Sequence, residues 1–134
     1  MGRARLLLGE DHAAVAEQLR NLLEPEFEVV AIVHDGESLV IAAGSLRPDV
    51  TLADIGMPRL DGISAAAQII KENPEAAVVI VTVHGEPELA CRGFSVGALG
   101  YVLKLAAGDE LLPAVRAAMR RERYVCSALR GLVE

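Results

Sequence analysis

Five polar residues stand where short apolar runs end: Glu10 and Asp11 after Arg5 to Gly9, Asp54 closing Val50 to Asp54, Thr82 closing Ala77 to Thr82, and Lys104 closing Leu99 to Lys104. If those runs are strands of one parallel sheet, all five residues project toward the edge where ligands of such sheets bind. Three carboxylates beside one lysine leave about two negative charges in excess, a poor arrangement unless a divalent cation is bound. An oxygen-rich set without histidine or cysteine suits Mg2+, which keeps several waters and bridges a carboxylate to a phosphoryl oxygen. Asp54 then reads as a nucleophile toward phosphorus, with the metal, the Lys104 ammonium and the Thr82 hydroxyl neutralising the arriving oxygens. Asp49 precedes its strand and, at roughly 3.3 Å per residue, lies about 16 Å from this edge. It is not a competing nucleophile.

The elements that must position these groups are legible as an alternation. A fifth run, Val29 to His34, joins the four above, and each is strand length and nearly continuous in Val, Ile, Leu and Ala, as strands covered on both faces require. Between them lie helical spacings, such as Val15, Leu19, Leu22 and Leu23, or Ile63, Ala66, Ala67 and Ile70. Asp35 and Asp61 are expected N-caps of the second and third helices, and Pro87 suits the first turn of the fourth. Pro113 is tolerable only near a helix start, so the fifth helix is expected to begin close to Asp109. Strand and helix alternating five times, with right-handed crossovers, predict a doubly wound α/β sandwich.

The 134 residues fit one domain. Residues 1–123 are read as that domain, and residues 124–134 as a short C-terminal tail, a capping helix or the start of a linker. A net charge of −6 argues against direct binding of nucleic acid by these residues. With a mean hydropathy of +0.35, no segment approaches the run of about 20 apolar residues that crosses a bilayer, so no membrane association is expected. Cys91 and Cys126 have neither metal-ligand spacing nor the density of a disulfide scaffold, which favours a cytoplasmic location.

The set Glu10-Asp11, Asp54 followed by Met57-Pro58, Thr82 and Lys104 resembles the receiver domain of bacterial two-component response regulators. The resemblance covers about residues 3 to 124 and is most specific in LADIGMPRLDG (Leu52 to Gly62) and GALGYVLK (Gly97 to Lys104). The latter, with VTVH (Val81 to His84), resembles the LuxR/FixJ (NarL-like) subfamily, whose members usually add a helix-turn-helix domain that these residues do not include. The resemblance implies a flavodoxin-like (βα)5 fold with five parallel strands in the order 2-1-3-4-5. It also implies a sensor histidine kinase as donor to Asp54, with Mg2+ held by Asp11, Asp54, the carbonyl of Gly56 and, through water, Glu10. Thr82 and Tyr101 are the implied switch pair: the phosphoryl group recruits the Thr82 hydroxyl and leaves space into which the Tyr101 ring rotates. Gly56 and His84 are expected to flank the path of attacking water and so to set phosphate lifetime. Such a protein is a switch with self-phosphotransfer and autodephosphorylation, not a turnover enzyme. Its output is a change of partner, a homodimer, or DNA binding through a further domain.

Ala53, Val83 and Leu105 depart from the commonest receiver pattern, and Val83 is expected to tighten access for small phosphodonors. Taken singly, Asp11 as a helix cap, Lys104 as a solvated strand end, Thr82 as a strand former and Tyr101 as a packed ring are ordinary. Their joint placement carries the reading. His12, His34 and His84 fit no zinc spacing and read as loop or cap residues. A phosphorylation-independent interaction module with the same fold is the alternative function. A flavin binder or an aspartate-nucleophile phosphatase lacks the expected loop or nucleophile after the first strand.

Overall fold

The computed structural model describes residues 2–133; Met1 and Glu134, the outermost residues of the two expected segments, lie outside the described residues. Strands β1 (Arg5–Gly9), β2 (Glu28–Val33), β3 (Val50–Ala53), β4 (Val78–Thr82) and β5 (Gly100–Leu103) alternate with helices α1 (Ala13–Leu23), α2 (Gly36–Leu46), α3 (Gly62–Glu72), α4 (Pro87–Ser95) and α5 (Ala107–Met119). The expected alternation and the order 2-1-3-4-5 hold, and every strand pair is parallel. Two expectations are corrected. The sheet has a sixth strand, β6 (Tyr124–Val125), parallel to β5, so the segment after α5 extends the sheet instead of forming a capping helix. Two residues are too few for a period to register in the sequence. Helix α5 starts at Ala107, after a 3-10 turn over Lys104–Ala106, so Pro113 sits deeper inside it than expected and the Asp109 carbonyl loses its helical donor.

Side chains alternate across each strand, which divides the core by face. Leu6, Leu8, Leu52, Val79 and Val102 pack with Ala16, Leu19 and Leu23 of α1 and Leu111, Ala114, Val115 and Ala118 of α5. Leu7, Ala53 and Val78 turn the other way, onto Leu39 of α2 and Ala65, Ala66 and Ile69 of α3. Near-continuous apolar strands were required because both faces are covered. Helix starts follow the caps read from sequence. Asp35 accepts from the Ser38 backbone N–H at 2.8 Å, Asp61 accepts from that of Ser64 at 2.9 Å, and Pro87 opens α4. Asp49 lies at the far end of the sheet, where its Oδ2 accepts from the Arg5 backbone N–H at 2.7 Å.

Candidate functional site

Register brings the acidic residues together. Gly9 pairs with Ala53, so the next residues, Glu10 and Asp54, leave the sheet side by side, and the Asp54 N–H donates to the Gly9 carbonyl at 3.0 Å. Thr82 pairs with Leu103 on the neighbouring strands, which places Lys104 one step beyond the hydroxyl. The site therefore spans the point where the strand order reverses about β1 and β3, at the carboxyl ends of the strands.

Lys104 is the hub. Its Nζ lies 2.6 Å from Glu10 Oε1 and 2.9 Å from Asp54 Oδ2, donating to the latter. Burial disfavours the ammonium, but hydrogen bonds and charge from Glu10 and Asp54 outweigh it and hold the Lys104 pKa above its ordinary value. Glu10, Asp54 and Thr82 are all buried. Glu10 Oε2 accepts from the His12 backbone N–H at 3.1 Å. Asp11 Oδ1 is buried yet accepts no hydrogen bond from the described residues.

That oxygen, which has the exposed His12 ring beside it at 3.1 Å, tests the fit of a cation. A buried carboxylate oxygen that accepts no well-formed hydrogen bond is costly, and the neighbouring carboxylates form the hard, anionic set that suits Mg2+. Glu10 and Asp11 bring donor atoms within 4.8 Å of each other, and Asp54 leaves the sheet beside Glu10. His12, read as a loop or cap residue, stands at the N-cap of α1, with its ring nitrogen 3.1 Å from Asp11 Oδ1 and 3.4 Å from Glu10 Oε2. Glu10, Asp11 and His12 present donor atoms all within 4.8 Å of one another.

The remaining expected residues fall around this centre. Gly56 is exposed in the loop after β3. The same loop closes by a near approach: a Cβ built on Gly62 would stand 2.0 Å from the Asp54 carbonyl oxygen, so only glycine fits there. His84 connects the switch pair through its backbone. Its N–H donates to Thr82 Oγ1 at 3.3 Å, and its carbonyl accepts from the Tyr101 hydroxyl at 2.7 Å. The Tyr101 ring is fully buried. Burial, with the negative charges of Glu86 and Asp54, pushes its pKa up to about 12. Val83 is 69% exposed and Leu105 is fully exposed, so neither is packed into the site. Among the described residues no helix is long and apolar enough to cross a membrane.

Comparison with known proteins agrees with this geometry. A family model described as the response regulator receiver domain matches residues 6–116. The transcriptional regulatory protein DegU of Brevibacillus brevis is 33% identical over 125 residues, covering 92% of this chain and 53% of that protein. The chain thus spans about half the length of that curated relative. A LuxR-family two-component response regulator from Aurantimonas sp. SI85-9A1 superimposes with a TM-score of 0.92 at 30% identity, over 97% of this chain and 94% of that one. The receiver domain of the response regulator NarL from Mycobacterium tuberculosis gives 0.84 at 27% identity, over 90% and 98%. The chain belongs to the response regulator receiver domains, in their NarL-like branch.

Proposed function

We propose that this receiver accepts a phosphoryl group on Asp54 from the phosphohistidine of a sensor kinase and acts as a cytoplasmic switch, once per cycle, not as a turnover enzyme. The observation that carries the reading is the placement of Lys104 between Glu10 and Asp54, at the sheet edge beside Asp11. An Asp54 carboxylate oxygen forms the new O–P bond as the N–P bond of phosphohistidine breaks, and the leaving imidazole takes up a proton. Lys104 and the Thr82 hydroxyl face the phosphoryl oxygens. Asp11, Asp54, the Gly56 carbonyl and, through water, Glu10 would hold Mg2+, which when bound supplies positive charge to those oxygens. Water attack at phosphorus later returns the carboxylate and inorganic phosphate, with Gly56 and His84 bordering its approach. Thr82 and Tyr101 carry the change to the surface of α4 and β5. Output is a homodimer or protein contact or, since DegU is named a transcriptional regulatory protein, DNA binding through a domain outside these residues.

The test is intact-mass analysis after incubation with acetyl phosphate, with and without magnesium. The expected result is a magnesium-dependent gain of one phosphoryl group that vanishes in Asp54→Ala. No gain in folded protein from any donor or kinase would favour the phosphorylation-independent module.

A further inference from the structure

The segment after α5 is docked on the switch. β6 pairs Gly100 with Tyr124 and Tyr101 with Val125, and the Cys126 N–H donates to the Tyr101 carbonyl at 3.0 Å. Leu129 and Val133 are buried in one cluster with Tyr101, Ile80 of β4 and Ala90 of α4, and Val125 packs against it. A single acidic residue of α5 fastens this segment. Glu110 is 9% exposed and accepts from the Ser127 N–H at 2.9 Å, the Ser127 hydroxyl at 2.6 Å, the Tyr124 hydroxyl at 2.8 Å and the Cys126 thiol at 3.5 Å. Arg130 approaches it to 4.0 Å. A buried carboxylate surrounded by donors from one segment holds that segment in a single place.

We propose that residues 124–133 form a strap, latched by Glu110, that holds Tyr101 in its buried position. The inference rests on the acceptor reading of Asp54. Strap and phosphoryl group then favour the same state of the ring, since the recruited Thr82 hydroxyl is what makes room for it. Coupling between them is positive, and linkage makes it reciprocal. Occupancy at Asp54 tightens the strap, and a weakened latch lowers affinity at Asp54. Glu110 is a positioning residue: it touches neither acceptor nor cation ligands but acts through the strap and Tyr101.

Cys126 reports docking directly, because it belongs to the strap and is buried when the strap is seated, while Cys91 is exposed. In the full chain carrying Cys91→Ser, the rate of maleimide labelling at Cys126 is measured with and without magnesium and beryllofluoride, whose binding is followed separately by its fluorine resonance. Beryllofluoride is expected to slow labelling by roughly fivefold or more, the lower end of ordinary coupling between sites. Glu110→Ala should speed labelling and raise the beryllofluoride concentration for half-saturation, by no more than that same factor. Ser127→Ala and Tyr124→Phe, each removing one donor, should do the same to a smaller extent and guard against a misfolded Glu110 variant. Bound beryllofluoride with an unchanged or faster rate would overturn the strap alone. No bound resonance at all would sink the acceptor reading, and the strap with it.

Discussion

Lys104 and Gly62 show how single residues set the chemistry of Asp54. Lys104 offsets two of three neighbouring carboxylates, so Lys104→Met leaves Glu10 and Asp54 buried without their cation. Breaking such a pair should cost about 3 kcal/mol in urea denaturation without magnesium and abolish uptake from acetyl phosphate. The sign of its pH dependence follows from a raised pKa: the stability from the charged ammonium is complete below the unfolded value, near 10.5, and is lost only as pH climbs through the higher folded value. Gly62 acts by absence of a side chain. Gly62→Ala should push the Asp54 carbonyl out of place, costing about 2 to 3 kcal/mol by the same denaturation and slowing phosphorylation even though no carboxylate is touched. Asp54, Thr82 and Lys104 could be read from sequence because each ends an apolar run. The role of Glu110 could not, since its partners come 14 to 17 residues later, in a segment without periodicity.

At the scale of elements, strands and caps were the legible part. Both faces of the sheet are covered, so the runs were continuous, and Asp35, Asp61 and Pro87 mark helix starts by local hydrogen bonding and fixed φ. Boundaries moved by a residue where the polar group that ends a strand belongs to the loop, as with Asp54 and Lys104. The start of α5 was misplaced because the 3-10 turn before it already has helical backbone, which composition does not reveal. The latch between α5 and the strap makes a prediction at this scale. Burial opposes the charged Glu110, but the donors of Ser127, Tyr124 and Cys126 outweigh it and bring its pKa down to about 2 from 4.5. A depressed carboxylate pKa gives stability that is present above 4.5 and fades as pH falls toward 2. Hydrogen exchange at the Tyr124 and Cys126 amides should therefore rise relative to the β3 amides across that window, and Glu110→Gln should remove the difference.

For the whole molecule, the acidic edge is the least satisfied region of an otherwise closely packed domain, so a cation should stabilise the entire fold. At a magnesium concentration of about 100 Kd, mass action adds about 2.7 kcal/mol, read as a shift of the thermal midpoint. Asp11→Asn should lose most of that shift, because it weakens the donor set without disturbing the Lys104 pairs. β6 has a consequence for colloidal behaviour as well. Without it, the outer side of Gly100 to Leu103 would be a bare row of peptide donors and acceptors, the kind of margin on which a second chain can nucleate and grow an aggregate. Tyr124 and Val125 cover the Gly100 and Tyr101 part of that margin and become a two-residue edge, onto which Arg130 turns back to donate to the Val125 carbonyl at 2.8 Å. An edge so short and capped by an arginine offers a second chain little to pair with.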